Sequence, residues 1–234
     1  MGVIVGIFGS SGEGKTQSTV INPDGSYDFS EEGYHGMDPD THIIINLDRK
    51  ALPLPKKMWN AERKNYIETS DIKTIEQVIR YAAGNEKIKS VALDTLNLYL
   101  AYKEYNDRRR LSYDQWKDIA NDIIEINTLC NTVLRPDQIA YIFGHTELIT
   151  DVDGKEKKVL SVIGKKSKKQ PPESFYPIVL MTRLESDGEG NNKFYFQTRA
   201  CNSSAKTPLG MFKDFEIPNS LKLVDDTVRN FYNI

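Results

Sequence analysis

The sequence predicts an α/β protein in which a mostly parallel β-sheet is flanked by helices and extended by antiparallel hairpins in the C-terminal half. Two observations predict this class. Short apolar runs alternate with helical segments up to residue 144, and this order produces parallel strands joined by helical crossovers. Beyond that residue, strand-like runs are separated by Gly-containing turns, which is typical of hairpins. The 234 residues can bury one large core, so residues 1–234 are expected to form a single domain.

The first strand and the loop that follows it carry the most specific motif. Residues 3–8 are apolar and bounded by glycine, as in a buried central strand. Residues 9–16, with the sequence GSSGEGKT, match the P-loop spacing G-x-x-x-x-G-K-[ST]. Glycines let several backbone N–H groups approach phosphate oxygens at once, because they tolerate positive φ and carry no Cβ. The pattern indicates a nucleotide phosphate site; a plain Gly/Ser turn is the alternative.

The motif gives the residues of this loop expected roles. Lys15 is expected to contact the β- and γ-phosphates of ATP, and the Thr16 hydroxyl to ligate Mg²⁺. No base-reading motif is evident, so the sequence is compatible with both ATP and GTP. The helix after the loop must be short, because the turn signal NPDG follows at residues 22–25. The expected nucleotide-contacting residues are Gly9, Ser10, Ser11, Gly12, Glu13, Gly14, Lys15, Thr16 and Gln17.

The next elements supply a candidate metal ligand. The predicted elements are a polar loop, a strand, a helix and a second strand, over residues 24–40, 41–48, 70–83 and 90–95. The second strand is apolar and places Asp94 near its end, where it is expected to lie beside the P-loop strand and to hold Mg²⁺ together with Thr16. A carboxylate there would be costly to bury unless an ion or hydrogen bonds compensated it. A strand-end cap is the alternative role for Asp94.

The remaining elements complete the predicted sheet. An amphipathic helix over residues 112–133 begins with a candidate capping box of Ser112 and Gln115, and a buried strand over residues 139–144 follows it. The last helix is expected over residues 218–232, with Pro218 in its first turn. Two hairpins are expected to extend the main sheet, pairing residues 146–152 with 158–163 and residues 177–185 with 193–199.

The charge distribution points to one local patch. The net charge of −2 is close to zero, so a polyanionic partner would have to be bound by a local cluster of cations. Such a cluster lies within residues 155–169, which contain seven lysines and one acidic residue. Lysines that contact phosphates release counterions and make nucleic-acid binding salt-dependent; a solvated hairpin is the alternative. The candidate nucleic-acid contacts are Lys157, Lys158, Lys165, Lys166, Lys168 and Lys169.

Several motifs together resemble those of phage-encoded RecA-type P-loop ATPases, a group that includes short RecA-like proteins associated with single-strand annealing. The motifs are the P-loop, the strand ending in Asp94-Thr95, the pair Gly144-His145 in YIFGHTEL, Gly164-Lys165-Lys166, and SAKTPLGMF at residues 204–212. The resemblance spans nearly the whole chain. It implies a RecA-like core that assembles into a ring or filament, binds ATP at the edge shared by neighbouring subunits, and acts on single-stranded DNA in phage recombination or replication.

The resemblance also implies roles for two residues of the proposed active site. His145 matches the strand-end polar position that senses the γ-phosphate, where glutamine is the more familiar residue. Histidine can also donate to phosphate, but it titrates near neutral pH. Asp48 matches the acidic residue that orients the attacking water, with Asp40 and Glu147 as alternatives.

A cation supplied by a neighbouring subunit is the last implied feature. Such a cation can accelerate phosphoryl transfer by about 10³ to 10⁵. The resemblance favours Lys206, with Arg199 as the alternative. If Lys206 acts in this way, an isolated subunit should hydrolyse ATP slowly.

Two functions of different classes follow from the sequence. The first is a Mg²⁺-dependent ATPase that acts on single-stranded DNA, with a phage single-strand-binding or annealing protein as an expected partner. The second is a nucleotide-dependent protein-interaction switch without direct DNA contact. A cytoplasmic protein without a membrane partner is expected, because no apolar run approaches the length of a membrane span. The two cysteines, 71 residues apart, do not have the spacing of a metal site.

Overall fold

The computed structural model describes residues 1–106, 113–150, 154–162, 172–186, 188–190 and 192–234. The strands in these residues are β1 (Val3–Phe8), β2 (His42–Asn46), β3 (Tyr66–Glu68), β4 (Ser90–Asp94), β5 (Ile139–Gly144), β6 (Thr146–Thr150), β7 (Glu156–Leu160), β8 (Ile178–Ser186), β9 (Asn192–Gln197) and β10 (Glu216–Pro218). The helices are α1 (Ile72–Gly84), α2 (Leu96–Asn106), α3 (Tyr113–Thr132) and α4 (Leu221–Tyr232). Short 3₁₀ helices span Thr16–Thr19 and Pro172–Phe175.

Eight of the strands form one sheet in the order β10-β9-β8-β1-β5-β4-β2-β3. The strands from β8 to β3 are parallel, and β9 is antiparallel to both β8 and β10. The predicted class, an α/β fold with a mostly parallel sheet and an antiparallel extension, is confirmed. The strand that carries Asp94 is β4 (the acidic strand), and the strand before the P-loop is β1 (the P-loop strand). The prediction that these two strands are neighbours is wrong, because β5 lies between them.

Each face of the sheet carries its own hydrophobic core. Helices α1, α2 and α3 pack on one face, where α1 contributes Ile75, Ile79 and Ala82 from a single stripe. The opposite face is covered by α4 and by the long segment between β1 and β3, which contributes Met37 and Trp59. Strands β4 and β5 are buried along their whole length and β1 is buried after Val3, as expected for parallel strands covered on both faces.

Capping side chains fix where two of the helices begin. The Asp71 carboxylate accepts from Thr74 N at 2.9 Å at the start of α1, and the Ser220 hydroxyl accepts from Leu223 N at 3.2 Å at the start of α4. The predicted position of Pro218 in the first turn of the last helix is therefore wrong. Pro218 instead ends the edge strand β10, where a residue without an N–H is tolerated.

The two predicted hairpins have different outcomes. Strands β8 and β9 extend the main sheet as predicted. Strands β6 and β7 form a separate two-stranded sheet, so the prediction that they extend the main sheet is wrong. Both edges of β5 are already paired, with β1 and β4, which leaves no edge for the strand that follows it. The Asp153 turn position lies outside the described residues, whereas Gly154 has a φ of +76°.

Four elements were not predicted from the sequence: β3, α2, β10 and the 3₁₀ helix Pro172–Phe175. The helix expected over residues 112–133 is α3, while Ser112 of its candidate capping box lies outside the described residues. Among the residues that the structure describes, no helix combines the length and the apolar composition that crossing a bilayer requires.

Candidate nucleotide site

The candidate site lies at one edge of the sheet, where the parallel strands end. Phe8 at the end of β1 is level with Gly144 of β5 and with Met181 of β8. Asn46 at the end of β2 is level with Asp94 of β4. The segments that follow these strands therefore converge at the carboxyl edge, which is where ligands bind in open α/β sheets.

Two glycines allow the loop of residues 9–16 to lie close to its neighbours. A Cβ on Gly9 would lie 1.5 Å from Thr182 Oγ1, so no other residue fits there without rearrangement. Gly14 has a φ of +81°, and a Cβ there would lie 2.9 Å from both the Asn219 amide and the Phe194 ring. The loop is thus held between β8, β9 and the segment before α4.

Lys15 folds back over this loop. Its Nζ donates to Gly9 O at 2.7 Å and to Ser10 O at 2.8 Å, and it lies 3.3 Å from His145 Nδ1. Burial lowers the pKa of Lys15 to about 8, although the charges of Asp94 and Glu13 act in the opposite direction. The ammonium group is therefore buried among the backbone carbonyls of the loop.

Thr16 and Asp94 meet across the edge of the sheet. Thr16 Oγ1 donates to Asp94 Oδ2 at 2.5 Å, although the two residues lie on elements separated by β5. Asp94 is fully buried, and its Oδ1 has no hydrogen-bond partner among the described residues. Burial raises the pKa of Asp94 to about 7, while the hydrogen bond from Thr16 lowers it.

The donor set formed by Thr16 and Asp94 fits Mg²⁺. A hydroxyl and a carboxylate are oxygen ligands, which this hard cation prefers, and Asp94 Oδ1 is a buried oxygen that lacks a partner. Within the described residues, no group of three or more His, Cys, Asp or Glu side chains could hold a metal alone. The arrangement therefore resembles sites where Mg²⁺ takes its other ligands from phosphate and water.

The carboxylate of Glu13 accepts hydrogen bonds from one backbone N–H and two side chains. Its Oε2 accepts from Ser10 N at 2.8 Å, from Thr182 Oγ1 at 2.7 Å and from Lys158 Nζ at 2.7 Å. Burial raises the pKa of Glu13, but the hydrogen bonds from Lys158 and Thr182 outweigh it, so the pKa lies below its usual value. Thr182 lies in no sequence motif and was not predicted, and Lys158 was predicted to contact nucleic acid but pairs with Glu13 instead.

His145 follows β5, between the P-loop strand and the acidic strand. Its backbone N donates to Asn97 Oδ1 at 2.5 Å, and its ring is half-buried beside Lys15. Burial and the charge of Lys15 both lower the pKa of His145, which favours the neutral imidazole. Asn97 was not identified from the sequence, because α2 was not predicted.

Asp48 lies two residues beyond β2, on the far side of Asp94. Its Oδ1 accepts from Thr95 N and from Thr95 Oγ1, each at 2.8 Å, and its Oδ2 lies 3.0 Å from Lys50 Nζ. Among the alternatives, Asp40 precedes β2 and pairs with Arg63 at the opposite edge of the sheet. Glu147 lies on β6 and is partly exposed. Of the three candidates, Asp48 is therefore the one that is hydrogen-bonded to the residue next to Asp94.

Lys206 lies on the other side of β8 from the P-loop strand. Its backbone pairs with Val179, which is level with Gly6 on β1, and its side chain is exposed. The structure therefore does not bring Lys206 to the P-loop of its own subunit. Arg199, the alternative cation, is exposed and donates to Lys213 O at 3.1 Å.

The candidate nucleic-acid contacts are only partly described. Lys157 lies on β7 and is half-buried, whereas Lys158 on the same strand points to Glu13. The side chains of Lys158 and Glu13 are 23% and 19% exposed, so this lysine packs against the loop of residues 9–16 and is not part of a solvated surface. Lys165, Lys166, Lys168 and Lys169 lie outside the described residues.

The fold and the site together define a class: an α/β protein with the P-loop motif in its sequence, in which β5 separates the strand before that motif from β4, the strand that carries Asp94. No protein-family model matches the chain, and no curated protein matches it. Among solved structures it is similar to a KaiC-like protein from the hyperthermophilic archaeon Pyrococcus horikoshii, with 14% sequence identity and a TM-score of 0.45; the match covers 83% of this chain and 77% of that chain.

Proposed function

We propose that the protein binds ATP and hydrolyses it in a Mg²⁺-dependent reaction. The observation that carries this proposal is the 2.5 Å contact between Thr16 Oγ1 and Asp94 Oδ2, beside the buried ammonium group of Lys15. A Gly/Ser turn with a purely structural role would not require a fully buried carboxylate with one unpaired oxygen at this position. The same contact brings the proposed magnesium ligands together.

The residues of the chain have distinct proposed tasks. Lys15 exchanges its carbonyl partners for the β- and γ-phosphates, while Thr16 and Asp94 hold Mg²⁺, which when bound neutralises charge on the phosphates. His145, as a neutral imidazole, accepts from Lys15 through Nδ1 and keeps an N–H to donate to the γ-phosphate. Asp48 orients the attacking water once its Oδ2 leaves Lys50, whose side chain is 58% exposed.

Steady-state hydrolysis tests this proposal. Purified protein should release inorganic phosphate from ATP with Mg²⁺ and not with excess chelator, and Lys15→Ala should abolish both turnover and the thermal stabilisation by Mg-ATP. Lys87→Ala is the matched control, because Lys87 is an exposed lysine whose ion-pair partner, Asp40, lies at the other edge of the sheet. Thermal stabilisation of Lys15→Ala equal to that of the wild type would contradict the assigned site.

We further propose that the ATPase acts on single-stranded DNA. Six of the seven lysines within residues 155–169 support this proposal, together with the resemblance to RecA-type proteins of phage recombination and replication, while the seventh, Lys158, is paired with Glu13. Lys158 connects the first strand of this segment to Glu13 of the nucleotide loop, so a ligand on the segment would act close to the P-loop. Stimulation of ATP hydrolysis by oligonucleotides, lost between low and moderate salt, is the expected result.

A protein-interaction switch is the second candidate function. It is favoured by the two-stranded sheet beside the site, where Leu148 and Ile149 of β6 are 67% and 41% exposed. Because successive strand residues point to opposite faces, each face of this small sheet presents one exposed apolar side chain to a partner protein. Tight ATP binding with slow turnover and no response to DNA would favour this function over the first.

A further inference from the structure

A cleft of about 720 Å³ opens beside the P-loop, on the β9 side. Gly14 and Gln17 line it, so the cleft is continuous with the loop proposed to hold the triphosphate. The volume lies within the range of about 300–1,000 Å³ that is usual for small-molecule sites. The residues with proposed roles in hydrolysis do not line this cleft.

Aromatic rings from two elements line the cleft. Tyr27 and Phe29 come from the loop after the first 3₁₀ helix, with ring centroids 6.3 Å apart. Their side chains are 72% and 37% exposed, which leaves apolar rings facing solvent at the rim. Phe194 of β9 adds a third ring, next to the backbone of Gly14. Exposed aromatic rings beside a phosphate site offer stacking surfaces for a nucleobase.

An unpaired polar group lines the same cleft. Asn219 is 3% exposed, and its Oδ1 has no hydrogen-bond partner among the described residues. Its Nδ2 makes a single long contact, 3.4 Å from Glu13 O. The carboxamide of Asn219 therefore has an unpaired oxygen and a weakly bonded nitrogen. It matches the N6 and N7 edge of adenine, because Oδ1 can accept from the 6-amino group while Nδ2 donates to N7.

We propose that this cleft binds the adenine base of the nucleotide, with the ring stacked on the aromatic side chains and its amino group bonded to Asn219. This inference rests on the proposed function, since the P-loop must hold the triphosphate of the same molecule. Gly14 and Gln17 support it, because they belong to the P-loop segment proposed to hold the triphosphate and also line the cleft. A nucleotide with its phosphates on this loop would therefore have its base in the cleft.

Three probes test the proposal: Mg-ATP, Mg-ITP and magnesium tripolyphosphate, titrated by calorimetry into the wild-type protein and its variants. Tripolyphosphate has no base, and the inosine ring carries an oxygen in place of the 6-amino group of adenine. ATP should bind at least about tenfold more tightly than tripolyphosphate, as expected from stacking of one base. ATP should also bind more tightly than ITP.

The variant Tyr27→Ala with Phe29→Ala should weaken ATP binding about tenfold and leave tripolyphosphate binding unchanged. Asn219→Ala should reduce the ratio of ATP to ITP affinity to near one. Tyr81→Ala, which removes an exposed aromatic ring on α1, is the control and should change neither value. These variants remove exposed rings or one amide, and melting curves verify that each is folded.

The outcomes separate this proposal from the proposed function. Equal affinity for ATP and tripolyphosphate would overturn the base site while leaving the P-loop assignment intact. Equal affinity for ATP and ITP in the wild-type protein would overturn the role of Asn219. No binding of either ATP or tripolyphosphate would contradict the proposed function itself.

Discussion

At the residue scale, Asp94 combines full burial with one unpaired oxygen. Its burial is costly in the free protein and becomes useful only if a cation occupies the site. Residues that destabilise a fold locally while serving a ligand are typical of functional sites. The balance between these two effects can be measured at this position.

Asp94→Asn is expected to stabilise the ligand-free protein at pH 8 by about 1 kcal/mol, because a neutral amide is cheaper to bury than a carboxylate. The same variant should lose the Mg²⁺-dependent part of its stabilisation by ATP. Urea unfolding without ligand and thermal shift with Mg-ATP measure the two effects. Asp137→Asn, at a partly exposed ion pair, is the control. A variant that retains full Mg²⁺-dependent stabilisation would contradict the ligand role of Asp94.

His42 provides a second test at the residue scale, away from the site. It is fully buried on β2, its Nδ1 lies 2.7 Å from Ser90 Oγ, and its ring packs edge-on against Trp59 and Tyr141. Burial, with a smaller effect from the charge of Arg229, lowers the pKa of His42 to about 3. Below pH 6.5 the unfolded chain therefore binds a proton that the folded chain does not.

The free energy of unfolding should fall as pH falls from about 6 to 4, with His42 contributing about 1.4 kcal/mol per pH unit. The contribution is fully present above the unfolded pKa and is lost towards the folded value of about 3. His42→Gln should reduce this slope in urea titrations at several pH values. His35→Gln removes an exposed histidine and is the control. An equal change of slope in both variants would contradict burial of His42 as the cause.

The site residues that could be predicted from the sequence belong to local patterns, whereas those that could not depend on contacts between distant parts of the chain. The P-loop spacing is local, so residues 9–16 could be identified from the sequence alone. Asp94 could be proposed because a charge in a strongly apolar strand is unusual. Thr182 and Asn97 gain their roles from contacts across more than 40 residues of chain, and nothing in their immediate sequence indicates those contacts.

At the scale of elements, the hairpin β6–β7 is tied to the nucleotide loop by the ion pair of Lys158 with Glu13. The pair has two contacts of 2.7 and 3.0 Å and is largely shielded from solvent. Glu13 lies where the triphosphate is proposed to bind, and its negative charge would oppose phosphate unless it were neutralised. Lys158 therefore belongs to the nucleotide site by its position, although it comes from a different sheet.

Lys158→Met should weaken ATP binding several-fold, because Glu13 then keeps an uncompensated charge beside the phosphates. Adding Glu13→Gln should restore most of the affinity, and a double-mutant cycle on unfolding should give a coupling of about 1 to 2 kcal/mol. Lys157→Met, at the adjacent position of β7, is the matched control. Additive effects of the two substitutions on both affinity and stability would show that the pair does not couple the hairpin to the loop.

Helices and strands could be predicted from the sequence where their local hydrophobic patterns are strong. Helix α1 was predicted closely because its apolar stripe is a local signal, although the predicted start at Ser70 precedes the observed cap, Asp71. Helix α2 was missed because its polar and apolar residues are not segregated along one stripe, although Tyr99 and Leu100 are buried. Strand β3 has three residues and depends on pairing with β2, so its formation is decided by tertiary contacts.

At the scale of the whole molecule, the strand order could not be read from the sequence. The alternation of strands and helices indicates a parallel sheet but does not say which strands are neighbours. Placing β5 between β1 and β4 puts His145 between Lys15 and Asp94, which explains why these three residues share one site. The same sheet places Lys206 beyond β8, away from its own P-loop.

The position of Lys206 leads to a prediction about assembly. If it completes the site of a neighbouring subunit, the contact is heterologous, and it closes into a ring or extends into a filament. Lys206→Ala should then bind Mg-ATP normally and lose turnover. Lys15→Ala should be inactive for a different reason, since it cannot bind nucleotide yet still presents Lys206.

Mixing these two inactive variants tests the arrangement directly. An interface that pairs the intact P-loop of one variant with Lys206 of the other restores a complete site, so an equimolar mixture should recover about a quarter of the wild-type rate if subunits assemble at random. Solution mass measured with and without Mg-ATP should rise under the same conditions. If Lys206→Ala alone hydrolyses ATP at the wild-type rate, the residue has no role in the reaction. If the mixture stays inactive while the mass rises, Lys206 does not act across the interface, and the assembly must complete its sites with another cation.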